Sequence, residues 1–405
     1  MDTKESVELY EKGVEAWNAW ANEMLAEKAE LVKTGRWQVC DGGNEATKDW
    51  GKRSAVDFFE HTFSEVAVFD NFIFPFVANF SKVTFSDSVM FFQTKFRDKA
   101  LFAKTKFQNA AYFATATFSD TIFMDAIFDD CADFDDATFN DNISFIRTSF
   151  NQSVYFSRTT FRGFSYFTAI EGKSFFSFRN AKFHLVPDFN QAHFTEAPQF
   201  DDADFSKALN RSQDESNVNL SSRWRALKRL AIQGHDHERE LIFFAEEIKS
   251  QRGIQDKAFP NPVNYFNNEP VWPGGARYWF GYLYQYSSDF GRSVMRPLFW
   301  LMVLGFLFQV LYLKYPVDSE PQENTSCNRS EAATYLSVRS ASPFLPATSY
   351  SENLSRSYAC LYGRNSDGKE NIPNAIVFIS IFQTILSTIL IFLLLLALRN
   401  RFRIK

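Results

Sequence analysis

Between Phe58 and Phe205 the apolar positions keep a beat that no helix could follow. Phenylalanine stands at Phe58, Phe63, Phe69, Phe74, Phe80, Phe85, Phe91, Phe96, Phe102, Phe107, Phe113 and Phe118. Steps of five and six alternate, so the pattern closes every eleven residues. One residue drops out before Phe123 and Phe128, and the beat resumes at Phe134, Phe139, Phe145, Phe150, Phe156, Phe161 and Phe167. The next slot is vacant at Gly172, after which Phe178, Phe183, Phe189, Phe194, Phe200 and Phe205 complete the run. Self-similarity of this kind marks a repeat architecture and decides the fold before any single segment is assigned.

Two residues before most of these rings the side chain is small or β-branched, as at Ala78, Val89, Ala100, Thr105, Ala126, Ala132, Ala137, Thr148 and Ala181. In extended chain, positions i and i−2 share a face. Each unit therefore reads as a very short strand that turns one small and one large apolar side chain inward, followed by a polar corner. Helical spacings of three and four are never sustained. Four such sides make a coil of about 20–22 residues, and coils stack at roughly 4.8 Å. The length of the run predicts about seven coils, with Phe80, Phe85, Phe134, Phe139, Phe145 and Phe150 among the core ladders. Each buried ring contributes about 1.5–3 kcal/mol, which offsets the ordering entropy of a chain without helices.

The segment Ala132-Asp133-Phe134-Asp135-Asp136-Ala137-Thr138-Phe139 resembles the pentapeptide-repeat family, in its Phe-rich branch. That resemblance implies a mainly β fold, a right-handed quadrilateral β-helix over residues 51–206. It implies little about function, because such solenoids serve many roles.

The flanks read differently. Over residues 5–33, Val7, Tyr10, Val14, Trp17, Trp20, Met24, Leu25 and Leu31 recur at helical spacing. Residues 1–50 thus predict one amphipathic capping helix and a loop that cover the open edge of the first coil. After Phe205 the beat stops. Residues 207–258 read as a polar linker and a helical hairpin, with Trp224, Leu227 and Leu230 on one stripe and Leu241, Phe244, Ala245 and Ile248 on the other. The cluster His235, Asp236, His237, Glu238 and Glu240 lies across the hairpin's turn and lacks the i, i+4 ligand spacing of a helical metal site. Residues 259–296 hold Pro260, Pro262, Pro270 and Pro273, then a Tyr- and Trp-rich segment suited to the lipid headgroup region.

Residues 297–313 and 375–398 are long and apolar enough to cross a bilayer. Arg292 and Arg296 precede the first span, and Arg399, Arg401, Arg403 and Lys405 follow the second in a basic tail, residues 399–405. Positive-inside logic places both termini and the solenoid in the cytoplasm, and residues 314–374 outside. The expected location is the inner membrane of a bacterial cell, crossed twice, with no signal peptide expected at the start. The hairpin, the Ser288-Asp289-Phe290-Gly291-Arg292 run and the end Leu398-Arg399-Asn400-Arg401-Phe402-Arg403 are similar to membrane-bound members of the same family, whose C-terminal part resembles a two-helix channel subunit. A potassium filter would require a run of backbone carbonyls such as T-V-G-Y-G. The outer segment offers only Pro343-Phe344-Leu345-Pro346 and an isolated Tyr362-Gly363. The second span carries Ser380, Gln383, Thr384, Ser387 and Thr388 on one face, a stripe that lipid disfavours and that must meet another helix or water.

Charge and composition narrow the function. The net charge is −5 and the pI near 5.7, which argues against nucleic acid as a partner. Mean hydropathy is −0.25, an average over a polar rod and an apolar end. An acidic stretch includes Asp120, Asp125, Asp129, Asp130, Asp133, Asp135, Asp136 and Asp141. Some pentapeptide-repeat proteins imitate DNA and bind gyrase, but Lys82, Lys95, Arg97, Lys99, Lys104 and Lys106 come just before it. Nucleotide loops, nucleophile elbows, paired Cys-x-x-Cys and metalloprotease motifs are absent from the sequence. The leading expectation is a non-catalytic scaffold without cofactor or metal. It would be anchored in the lipid bilayer, homo-oligomeric through its membrane helices and bound to a cytoplasmic protein partner. A channel-like pore gated through the solenoid is the alternative, and a gyrase-binding DNA mimic a further one. Cys40 and Cys131 read as free thiols, whereas Cys327 and Cys360 share the outer segment, where a disulfide can persist. Alkylation of unreduced membranes should leave Cys327 and Cys360 unmodified by mass spectrometry; labelling of both would refute the pairing or the topology.

Overall fold

The computed structural model describes residues 1–38, 44–211, 219–257, 276–315, 327–342, 352–364 and 368–402. The chain divides into two compact units, Met1–Ala258 and Phe259–Lys405.

The first unit is a parallel β-solenoid between helices. From Val56 onward the chain forms two-residue strands that join four parallel sheets of six, seven, six and six strands. Val56 lies opposite Ala78 and Ala78 opposite Ala100, one coil per step; Ala100 then meets Thr121, which absorbs the residue missing before Phe123. There are about six coils, one fewer than the beat predicts. The last coil is held largely by single bridges, Tyr166 to Asp188, Ser177 to Gln199 and Lys182 to Asp204.

Strand spacing turns the Phe beat into four columns of rings. Consecutive rings of a column stack with centroids from 4.4 Å (Phe107–Phe128) to 5.4 Å (Phe145–Phe167) apart. Phe80 stacks on Phe102, and Phe134 on Phe156, with planes within 10°. Two of the columns also meet edge-to-face, as at Phe80–Phe91, 5.7 Å and 89°. Edge contacts of this kind add about 0.5–1.5 kcal/mol per pair beyond burial. Phe80, Phe134, Phe139, Phe145 and Phe150 are fully buried and Phe85 is nearly so. Where the small position is Thr, the hydroxyl is satisfied. Thr94, Thr105, Thr148 and Thr159 donate to the carbonyls of Phe69, Phe80, Phe123 and Phe134 at 2.7 Å.

Alternate corners need left-handed backbone, and the chain meets that need without glycine. Glu60, Lys82, Lys104, Asp125, Arg147 and their counterparts Asn71, Gln93, Thr115, Asp136 and Arg158 have φ between 55° and 65°. Each such corner costs of order 1–3 kcal/mol and persists because its N–H pairs with the next coil, as Lys82 does with the Ala103 carbonyl at 2.9 Å.

The vacant slot at Gly172 has a local explanation. The small position that follows it is filled by a large ring, Phe176, which is fully buried. Phe176 meets Phe150 at 5.2 Å and Phe194 at 5.0 Å, both edge-on, and so bridges the interrupted column. A Cβ on Gly172 would lie 2.8 Å from the Phe194 ring and 3.0 Å from that of Phe176. Large and small have exchanged places.

Both ends of the solenoid are covered. The single N-terminal helix expected from the sequence is two, α1 (Thr3–Glu11) and α2 (Gly13–Lys33). They break at Gly13, whose φ of +84° suits glycine. The break aims the two helices at different strands. Tyr10 packs on Phe69 at 4.7 Å with the rings tilted, while Trp17 packs on Phe72 and Phe74. Their polar atoms occupy the edge of the first coil. Ser6 accepts from the Asp57 N–H, Tyr10 from Val68 and Asn18 from Ile73, and Trp17 donates to the Ile73 carbonyl. That removes the pairing template an open sheet edge presents. A third helix, α3 (Glu45–Ser54), packs behind them, its buried Trp50 donating to the Met24 carbonyl.

At the other end lie α4 (Ser206–Arg211), α5 (Leu220–Gln233) and α6 (His237–Lys257). Phe243 meets Phe205 at 5.3 Å and Trp224 at 5.6 Å, which closes the last coil. Arg223, 4% exposed, stacks over Phe164 and Tyr166 and donates to the Val186 carbonyl.

The second unit is helical: α7 (Ala276–Ser288), α8 (Met295–Lys314), α9 (Arg329–Ala341), α10 (Glu352–Tyr362) and α11 (Asn374–Arg401). By length and composition α8 and α11 can each cross a membrane.

The exchange at Gly172 makes a direct test. Phe176→Ala should cost about 3–5 kcal/mol in thermal unfolding of the detergent-solubilised chain, and Gly172→Phe alone should also destabilise. The double variant Gly172→Phe/Phe176→Ala should recover most of the loss. Additive losses in the double variant would show that the two positions do not share one space.

Candidate functional site

Polar chemistry in the second unit converges on α11. Gln383, fully buried, accepts from the Tyr312 hydroxyl at 2.9 Å. Its amide donates to the Ser337 carbonyl at 2.9 Å and to the Ser337 hydroxyl at 3.0 Å. Ser337 in turn donates to the Gly305 carbonyl at 2.7 Å. Tyr362, on α10, donates to the Tyr312 carbonyl at 3.1 Å, and burial raises its phenol above the ordinary value. One buried amide therefore ties α8, α9 and α11 together. At 1.5 Å per residue, Gly305 lies about 15 Å from the start of α8 and about 14 Å from its end. Short helix α9 is thus packed against the middle of a span-length helix.

The polar stripe of α11 divides in two. Gln383 and Ser387 face inward and are fully buried, with the Ser387 hydroxyl lacking a partner among the described residues. Ser380, Thr384 and Thr388 are half-exposed and donate to carbonyls of their own helix, at Val377, Ser380 and Thr384. A back-bonded hydroxyl presents little free polarity to its surroundings. Around them the exposed surface is apolar, including Phe378, Ile381, Phe382, Ile385 and Phe392 on α11 and Met302, Phe306 and Leu307 on α8.

Cys327 and Cys360 are joined in a disulfide with Cα atoms 5.9 Å apart, tying the start of α9 to α10. Cys131 is a half-exposed free thiol, while Cys40 lies outside the described residues. Arg292, Arg296, Arg399 and Arg401 are exposed at the ends of the two long helices; Arg403 and Lys405 lie outside the described residues, as do the four prolines and Pro343–Pro346. Arg296 donates to the Gln285 carbonyl and stands 3.7 Å from Asp289. Between α7 and α8 the chain turns through Asp289, Phe290 and Gly291, all left-handed. Phe290 is buried, and Asn400 from the end of α11 donates to the Gly291 carbonyl.

On the solenoid, the acidic stretch is largely met by neighbouring coils. Arg147 binds Asp125 through two hydrogen bonds, and Arg158 does the same to Asp136. Those bonds hold both carboxyls below their usual range. Lys99 stands 3.6 Å from Asp120, and Asn151 donates to Asp129. In the hairpin turn Asp236 caps α6 and binds Arg239, and His237 meets Glu240. Among the described residues, no three His, Cys, Asp or Glu side chains converge as metal ligands. A depression of about 300 Å³ lies beside Phe200, Leu230 and Arg239, where Arg239 is paired with Asp236.

The packing of α9 is invisible to a hydropathy reading. Its residues are mixed and polar, so they read as an outer loop, and only tertiary contact reveals the Ser337 and Thr334 partners on α8.

Replacing Gln383 by Leu removes the acceptor of the Tyr312 hydroxyl, which is left with only Ser340 at 3.5 Å, and the amide donor to Ser337. The detergent-solubilised protein should lose about 1–3 kcal/mol, read as a lower Tm. Ser380→Ala, whose hydroxyl serves only its own helix, should change Tm little.

Comparison of the chain with protein-family models, with curated proteins and with solved structures gives no match in any of the three.

Proposed function

We propose that this chain is a non-catalytic, membrane-anchored scaffold of the pentapeptide-repeat type, whose solenoid docks a cytoplasmic protein. The observation that carries this reading is the filled interior. Phe rings occupy the solenoid core from Phe58 to Phe205, which leaves its outer faces as the working surface. One of those faces is apolar and accessible: Val66 and Val68 are exposed, and Phe92 stacks on Tyr112 at 5.7 Å. The anchor is the pair α8 and α11, with the basic residues at their shared ends in the cytoplasm by positive-inside logic. The inward hydrogen bonding of Gln383 supports an anchor, because it uses the stripe's strongest polar group within the unit.

A second reading has an observation of its own. The order α8, α9, α11, with a short helix against the middle of α8, is that of a two-helix channel subunit. The gyrase-binding reading is weaker, since Arg147 and Arg158 interrupt the acidic surface such a mimic needs.

A photo-crosslinking amino acid at Tyr112 in the full-length chain, in its native membrane, should yield a discrete adduct with a cytoplasmic protein. Purified chain in sealed vesicles should pass K⁺, Na⁺ and Cl⁻ no faster than empty vesicles. Flux above that background, with no adduct, would overturn the scaffold reading in favour of the pore.

A further inference from the structure

We infer that the corner where α7, α8 and α11 meet binds an anionic phospholipid. The inference rests on α8 and α11 spanning the bilayer, and it names the lipid that the anchor selects. Three hydrogen bonds to backbone build the corner. Asn400 donates to the Gly291 carbonyl at 3.2 Å, Trp300 to that of Tyr286 at 3.2 Å and Arg296 to that of Gln285 at 3.0 Å. Phe290 is buried there, its ring edge-on to Tyr284 at 5.5 Å. Its backbone is left-handed, a strained conformation for a bulky residue that only surrounding contacts sustain.

Positive charge gathers at this corner without compensation. Arg292 follows Gly291, and Arg399 and Arg401 flank Asn400, so the bond between Asn400 and Gly291 brings their backbones together. All three are exposed, as is Arg296. The only carboxylate in residues 276–314 is Asp289, and residues 374–405 hold none. Asp289 stands 3.7 Å from Arg296, and Arg399 lies 3.5 Å from its own neighbour Asn400. Among the described residues, Arg292 and Arg401 have no ion-pair partner.

Beside these cations the surface is apolar. Phe280, Leu283 and Tyr286 lie on one face of α7 at spacings of three, each more than half exposed. On α8, exposed Met295, Phe299, Met302 and Phe306 follow at spacings of four, three and four. The apolar surface beside the arginines thus runs on into the face that spans. That continuity favours lipid over a soluble acidic protein, because one molecule then supplies both a phosphate and acyl chains. Arginine takes a phosphate through two parallel hydrogen bonds, and basic residues at cytoplasmic helix ends attract anionic headgroups. A zwitterionic headgroup brings its own cation, so the excess charge of the corner selects against it.

The test uses the full-length chain in detergent micelles holding equal amounts of phosphatidylglycerol and phosphatidylcholine with the same acyl chains. The protein is repurified and its retained lipid quantified by mass spectrometry. Phosphatidylglycerol should exceed phosphatidylcholine by about 25-fold, about fivefold for each unpaired arginine. Arg292→Gln/Arg401→Gln should retain the two lipids equally, whereas Lys314→Gln, at the far end of α8, should keep the preference. In the unaltered chain the preference should shrink as NaCl rises from about 50 to about 500 mM. Equal retention by the unaltered chain, a preference that survives the double variant, or one indifferent to salt would each overturn the proposal. So would an equal loss in Lys314→Gln, or loss on adding glycerol phosphate, which would assign the corner to a soluble phosphate ester. The spanning reading is tested separately in vesicles of phosphatidylcholine alone. Release of the chain by alkaline carbonate would overturn that reading and this inference with it. Retention there, with no phosphatidylglycerol preference in micelles, would overturn this inference and leave the anchor standing.

Discussion

The spacing between parallel strands is the constraint on which the solenoid depends. Neighbouring strands must lie roughly 4.8 Å apart, and an aromatic ring repeated at that interval meets its copy above and below. The rings fit because alternate columns meet edge-on, as at Phe102–Phe113, which fills the gaps that parallel stacking alone would leave. Everything else adapts to this spacing. Left-handed corners at Lys104 or Arg147 are tolerated, and a deleted residue before Phe123 is absorbed in register. Even a missing ring at Gly172 is replaced from a neighbouring position. A core so filled has no room for a substrate, which is why function is sought on the faces and ends.

Both units follow the same rule, that a polar group must be satisfied wherever water is excluded. The solenoid's first edge is met by Ser6, Tyr10, Trp17 and Asn18. In the helical unit Tyr312, Gln383 and Ser337 satisfy one another. Among the described residues the exceptions include Ser144, Ser165 and the Trp224 indole in the first unit and Ser287 in the second, and on α11 Ser387 is buried with an unpartnered hydroxyl. A serine within a long helix can still bond back to its own backbone through a rotamer change, so the cost of this exception is modest.

The solenoid was legible because its signal is a long-range period in one residue type, and the paired small residue fixed which way the strands face. The two long apolar helices were legible from length alone. What escaped the sequence depended on contacts between distant positions. Gly13 reads as an unremarkable residue in a helical pattern, yet the break there lets Tyr10 and Trp17 reach separate strands. Phe176 reads as an extra aromatic until Gly172 is seen beside it. Of the polar stripe, the sequence placed five residues on one face, but only tertiary burial, with Gln383 bonded to α9, separates Gln383 and Ser387 from Ser380, Thr384 and Thr388. The fall from seven coils to six has the same origin. The beat continues to Phe205, but strand pairing in the last coil thins to bridges.

That thinning bears on how the solenoid is held. In a repeat array each coil is stabilised by its neighbours, so a weak interface affects the coils beyond it more than those before it. The coil at Gly172 lacks two stacked pairs, to Phe150 and to Phe194, Phe194 is only partly buried, and the following coil has few full strands. Such a segment would open first if it ended in solvent. It ends instead against α5 and α6, where Phe243 closes Phe205, Gln233 donates to the Phe194 carbonyl and Arg223 reaches back to Val186. The hairpin therefore does more than terminate the repeat. It supplies the contacts that the last coils do not make for themselves, so the end of the solenoid is only as stable as its helical cap.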